Sequence, residues 1–132
     1  MAVEASAIEV VRRFYDAVAA RDLVAARACF AEDAVWVLPG RSPIAGEHRG
    51  WNAIHDDFLA KLGPLSGWSL RVELVDVAVG AKQLVAVQHA TGTRNGKRLD
   101  VTGCQLMRVE GGRIVDVRGH YSDQYAFDEF WS

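Results

Sequence analysis

The chain has 132 residues, half of them hydrophobic and 24% charged, which is the balance of one globular domain and not of a disordered segment. Fifteen basic against seventeen acidic residues leave a net charge of −2 with histidine neutral, which argues against nucleic acid and anionic membrane surfaces as partners. No apolar run approaches the roughly 20 residues of a bilayer span, and two distant cysteines, Cys29 and Cys104, make no disulfide framework, so the expectation is one cytoplasmic domain over 1–132. Along the chain, Ile8, Val11, Phe14 or Tyr15, and Val18 recur at helical spacing, and Ser6 with Glu9 reads as a capping box. Asp22 caps a second short helix, Leu23 to Phe30. Asp33 to Leu38 turns β-prone and stops at Pro39-Gly40, and Arg41 to Arg49 reads as loop. A third helix, Trp51 to Leu62, ends at Gly63-Pro64.

From Ser69 onward the pattern is a meander: Ser69–Val79, Leu84–Arg94, Lys97–Glu110 and Arg113–Tyr121, then a terminal helix from Asp123 to Trp131. Asn95-Gly96 is the strongest turn signal, since both residues accept the positive φ of a type I′ turn. Such a turn pairs Arg94 with Lys97, and continuing the ladder sets Ala86 opposite Gln105 and Val87 opposite Cys104. The fold class is therefore α+β: a cone-shaped α+β barrel, three N-terminal helices on one face of a strongly curved, mostly antiparallel sheet, with a short C-terminal helix.

Three strings carry a resemblance: Val10 to Tyr15 running on through Ala20-Arg21-Asp22-Leu23, then Phe30-Ala31-Glu32-Asp33-Ala34-Val35-Trp36, and Gly111-Gly112-Arg113-Ile114-Val115-Asp116-Val117. Together they resemble the nuclear-transport-factor-2-like superfamily, in its SnoaL-like and ketosteroid-isomerase-like branch. The resemblance implies a pocket inside the cone, but its known acids do not carry over. The isomerase acid/base position matches Leu38, and its oxyanion donors match Phe14 and Gln105. The cyclase aspartate also falls near Gln105, and the last aspartate of the epoxide-hydrolase set falls on Gly119 or His120.

What remains is neutral chemistry. Positions 101, 103, 105 and 107 hold Val101, Gly103, Gln105 and Met107, an apolar row with one amide, which the resemblance turns inward; an amide N–H can polarise a carbonyl. Tyr121 is a second donor, and His120 and His89 are the candidate bases near neutral pH. Strand parity puts His120 outside, whereas a β-bulge at Gly119 puts it inside; on the ladder above His89 faces away from Gln105. Phe14, Trp36, Leu38, Trp51, Phe58, Trp68, Val101, Met107 and Val117 are candidate ligand-lining residues, Tyr15 points some 100° away from Phe14, and Asp123 reads as a helix cap. Arg94, Lys97 and Arg98 at the hairpin tip read as a solvated turn. No spacing of His, Cys or acid suggests a metal, and no phosphate loop is present, so no cofactor is expected.

Three functions fit this pattern. The first is a cofactor-independent cyclase, isomerase or hydratase on a small apolar or polyketide-like substrate. The second is a non-catalytic binder of a small hydrophobic molecule. The third is a partner-binding module, or a homodimer through the sheet, with Val85, Val87, Cys104 and Leu106 as interface.

Overall fold

The computed structural model describes the backbone of residues 2–132 and the side chains of residues 6–132. In chain order it runs α1 (Ala2–Ala19), α2 (Leu23–Arg27), β1 (Phe30–Leu38), β2 (Gly46–Arg49), α3 (Gly50–Ile54), a π-helical turn (His55–Leu59), α4 (Ala60–Leu65), β3 (Arg71–Val79), β4 (Leu84–Arg94), β5 (Lys97–Glu110), β6 (Arg113–Tyr121) and α5 (Gln124–Trp131). The six strands form one sheet in the order β2-β1-β6-β5-β4-β3, antiparallel except for the β1–β6 pair. This is the expected α+β arrangement. Helix α1 lies against both β3 and β6, strands three places apart in the sheet order, which it reaches because the sheet curls around it.

The β4–β5 ladder follows from its turn. Asn95 and Gly96 sit at φ 51° and 78°, Arg94 pairs with Lys97, Ala86 with Gln105 and Val87 with Cys104. Side chains alternate across a strand, so Leu99, Val101, Gly103, Gln105 and Met107 all turn inward and are buried. From β4 the same parity turns Leu84, Ala86, Gln88 and Ala90 inward.

Several boundaries differ from the sequence reading. Helix α1 already runs from Ala2, so Ser6 is inside it and not at a cap. Helix α2 stops at Arg27, because Phe30 is taken into β1. The stretch read as loop contains β2, which pairs Trp36 with His48. The third helical run does not end at Gly63-Pro64 but continues to Leu65. Its middle turn is π-helical, and Phe58 and Leu59 on it are both buried. Asp22 and Asp123 do cap α2 and α5, accepting from the Ala25 and Ala126 amides at 3.0 Å each. The hairpin tip is not merely a solvated turn. Arg94 donates to the Ser132 carbonyl at 2.6 Å and Lys97 to the Glu129 carbonyl at 2.9 Å, so the tip holds the end of α5. Among the described residues no helix is long and apolar enough to cross a membrane.

Candidate functional site

Between the helices and the inner face of the sheet lies a chamber of about 50 Å³. Phe14, Tyr15 and Val18 of α1 line it, with Trp36 of β1, Phe58 and Leu59 of the π-helical turn, and Leu62 of α4. The sheet adds Val72, Gln88, Ala90, Leu99, Gln105 and Tyr121, with Leu70 ahead of β3, and Phe127 and Trp131 of α5 close the far end. An open cleft of about 1250 Å³ lies outside it, between α1, the α4–β3 connection and the edge strand β3. Tyr15, Val18, Leu59, Leu62, Leu70 and Val72 line both hollows, so the chamber adjoins the cleft, whose wall also carries Arg12, Asp16, Arg21, Arg71, Glu73 and Asp76. At liquid density the chamber holds about one or two waters.

Among the described residues none that lines the chamber is Asp, Glu, His, Lys, Arg or Cys. Four of its polar side chains form two short chains. Tyr15 donates from its hydroxyl to Gln88 Oε1 at 2.6 Å, and Gln105 Nε2 donates to the Tyr121 hydroxyl oxygen at 3.2 Å. Burial drives both phenols upward: Tyr121 is pushed to about 12, against a smaller opposing pull from its bond with Gln105, and Tyr15 well above its ordinary value. Both are therefore hydrogen-bond donors at any working pH. The unfolded chain ionises its tyrosines near pH 10 while the folded one resists, so this contribution to stability is intact below pH 10 and is lost as pH rises past it.

Two glycines make the room. A Cβ on Gly103 would meet the Tyr121 ring at 2.8 Å, and that ring stacks at 3.9 Å on Phe127, so it has nowhere to retreat. A Cβ on Gly119 would stand 3.0 Å from Gln105 Oε1 and 3.2 Å from Pro39. Gly119, buried and paired with Gln105 on the inner face, brings no side chain at all.

Of the proposed chemistry-bearing residues, the structure brings Gln105 and Tyr121 together and places neither histidine with them. His89 points outward, half-exposed, and pairs with Asp100 at 2.6 Å. His120 is exposed on the outer face beside Cys104. The β6 bulge falls at Val115, between the Ile114 and Asp116 pairings, and not at Gly119, so strand parity holds from Val117 to Tyr121 and keeps His120 outside. Phe14, Trp36 and Phe58 line the chamber as expected. Leu38, Val101, Met107 and Val117 are at most 3% exposed but do not reach the hollow; they are packed core. Trp51 is buried against Phe30 and His55 on another side of the molecule. Trp68 is half-exposed on the rim of the cleft, where Arg21 donates to its carbonyl at 2.6 Å and sits 5.3 Å from its ring centre.

The sequence reading named five of the sixteen residues lining the chamber and missed the rest, among them Trp131 and two polar residues, Gln88 and Tyr15. Gln88 was recoverable from the ladder, since Ala86 opposite Gln105 is inward and parity carries Gln88 with it. Tyr15 stands about 100° from Phe14 yet is only 5% exposed, because the buried stripe of α1 is wide enough to hold both. His89→Ala and His120→Ala are each expected to change stability by no more than about 0.5 kcal/mol and to leave small-molecule binding unaltered. Denaturant melts and titration with a fluorescent apolar probe check this.

The family profile of the SnoaL-like domain matches residues 11–117. An uncharacterised protein of Mycobacterium tuberculosis is 34% identical over 129 residues, 95% of each chain. Among solved structures, Bal32a from a soil-derived mobile gene cassette is 37% identical with a TM-score of 0.92, covering 96% of this chain and 97% of its own. A putative SnoaL-like polyketide cyclase from a Jannaschia species has a TM-score of 0.75 at 17% identity, covering 89% of this chain and 86% of its own, a likeness of fold alone.

Proposed function

The chain belongs to the SnoaL-like domain family, and on that footing we propose that it binds a small, mostly apolar, polyketide-like molecule, with the molecule's oxygen-bearing end in the chamber and its body in the cleft. One observation carries this reading: every polar group lining the chamber is neutral, and the rest of its lining is apolar. A buried neutral hollow favours an apolar body and penalises an ion. Buried donors such as the Tyr121 hydroxyl and the Gln105 amide are worth more there than in water.

The catalytic form of the proposal is a cofactor-independent cyclase, isomerase or hydratase that polarises a substrate carbonyl. It is favoured by the Tyr121 hydroxyl, which accepts from Gln105 and keeps its own proton to donate. The cyclase-like fold neighbour points the same way. With His89 and His120 outside and no carboxylate inside, the chamber supplies no base that titrates between pH 5 and 9. Binding constants, and the rate of any reaction found, are therefore expected to stay flat across that window. Isothermal titration or steady-state rates at successive pH values test it, and a sigmoid centred near pH 6–7 contradicts it.

A homodimer through the sheet is the partner reading. Val85, Val87, Cys104 and Leu106 sit half-buried on the outer face, and sedimentation of the wild type against Leu106→Lys checks it.

A further inference from the structure

Helix α1 ends in a Schellman turn: the Asp22 amide donates to the Ala17 carbonyl at 2.9 Å and the Arg21 amide to the Val18 carbonyl at 3.0 Å. Such a turn needs one left-handed residue, ordinarily glycine, and Arg21 fills the place at φ 58°. Helix α4 ends the same way, with the Trp68 amide on the Gly63 carbonyl at 2.8 Å and Gly67 in the left-handed place at φ 59°. Trp68 follows and is left-handed too, at φ 64°. Apart from Asn95 in the hairpin turn, Arg21 and Trp68 are the non-glycine residues at positive φ among the described residues. Strained positions of this kind persist where the surrounding contacts hold them. Here the two hold each other. Arg21 Nη2 donates to the Trp68 carbonyl at 2.6 Å, and its guanidinium stands 5.3 Å from the centre of the Trp68 ring.

The contact joins the two sides of the wall between chamber and cleft. Tyr15 and Val18 of α1 stand on one side, and Leu62 of α4 and Leu70 beyond it on the other. The α4 side is lightly held. None of the six residues of α4 is buried, and Pro64 within it removes a backbone donor. The Trp68 ring lies on α4 at Gly63, where a Cβ would run into it, so a grip on Trp68 is a grip on α4. Just beyond, Ser69 Oγ accepts from the Thr93 amide at 2.8 Å and pins the chain to β4. Among the described residues no other side-chain hydrogen bond ties α1 or its turn to residues 60–70. We propose that the Arg21–Trp68 contact is a latch on the candidate site: closed, it keeps the α4 wall in place, and released, it lets α4 swing about Ser69 and opens the chamber to the cleft. The inference rests on the pocket reading above and adds to it how the site is entered. Size supports it, because a chamber with room for one or two waters admits nothing larger until that wall parts.

The test compares the full wild-type chain with Arg21→Asn and Arg21→Gly, which suit the left-handed turn and remove the guanidinium. The probe is 4-phenyl-2-butanone, followed by stopped-flow tryptophan fluorescence, and amide hydrogen exchange across residues 60–68 reads the wall without any probe. A molecule that passes only through the open form enters and leaves in proportion to its population. The association and dissociation rate constants are therefore each expected to rise about fivefold in both variants, the equivalent of about 1 kcal/mol for the lost hydrogen bond and ring contact, while the dissociation constant stays within twofold. Exchange across 60–68 is expected to quicken at least threefold, with the β4 and β5 amides unchanged. Unchanged rates overturn the latch. So does a dissociation constant that weakens because dissociation alone quickens, which would make Arg21 a ligand contact. If the ketone binds none of the three proteins, the pocket reading fails, and exchange alone decides the latch: faster exchange across 60–68 upholds the moving wall, and unchanged exchange overturns it.

Discussion

Gln105→Glu is expected to match the wild type in stability at pH 4.5 and to fall about 4 kcal/mol behind it by pH 8. The substitution is nearly isosteric, and the protonated acid can still hydrogen-bond the Tyr121 hydroxyl. Below the ordinary carboxyl value of about 4.3 both folded and unfolded chains carry a neutral side chain. Above it the unfolded chain ionises, while the folded one must place a charge among Trp36, Leu99 and Tyr121 with no cation nearby. A rise of about three units, typical of a fully buried carboxyl, corresponds to about 4 kcal/mol, lost progressively between pH 4.3 and roughly 7 and constant thereafter. Urea melts of both proteins across pH 4.5 to 8 measure it. A deficit that does not vary with pH would mean that position 105 is wet and the interior is not the charge-averse hollow described above.

Phe58→Ala carries the second large effect. The Phe58 ring is 5% exposed, packs edge-on against Trp36 at 5.0 Å and lies parallel to the His48 ring at 5.7 Å. Removing it costs about 3–5 kcal/mol from lost burial and the void left behind. In a domain with a total stability of about 10 kcal/mol, the middle of the usual range, the variant still folds. The void is the shape of the ring removed and opens onto the existing chamber. Benzene at a hundredfold excess over its Kd is therefore expected to restore about 2.7 kcal/mol to the variant and to do little for the wild type, whose chamber is too small for it. Calorimetric melts with and without benzene check this. Equal indifference in both proteins would mean that the hollow collapses when its wall is cut back.

How far the sequence reaches into this site depends on what each element leaves in writing. The β4–β5 register was legible because Asn95-Gly96 admits essentially one turn, and a two-residue turn fixes every pair behind it; Gln105 follows from that alone. The capping aspartates were legible for the same local reason. A β-bulge leaves no such mark. Val115 is an ordinary strand residue, so the slip in β6 could not be located, and the side of the sheet taken by His120 stayed open. The π-helical turn has no compositional signature in His55 to Leu59 either, although Phe58 and Leu59 both line the chamber from it. Tyr15 was set aside by treating helix direction as a line when the buried stripe is a band. Packed core and cavity wall also read alike in sequence: Leu38, Met107 and Trp36 are all apolar inward residues, and only the shape of the interior separates the first two from the third.

The most direct test of the central claim is a crystal structure of the full chain soaked in 4-phenyl-2-butanone. The carbonyl oxygen is expected inside the chamber among Trp36, Gln105, Tyr121 and Trp131, with the chain passing between Val18 and Val72 and the phenyl ring in the cleft. A ketone found only on the outer face of the sheet, beside His89 and His120, or a chamber holding nothing but water at saturating ketone, would contradict it.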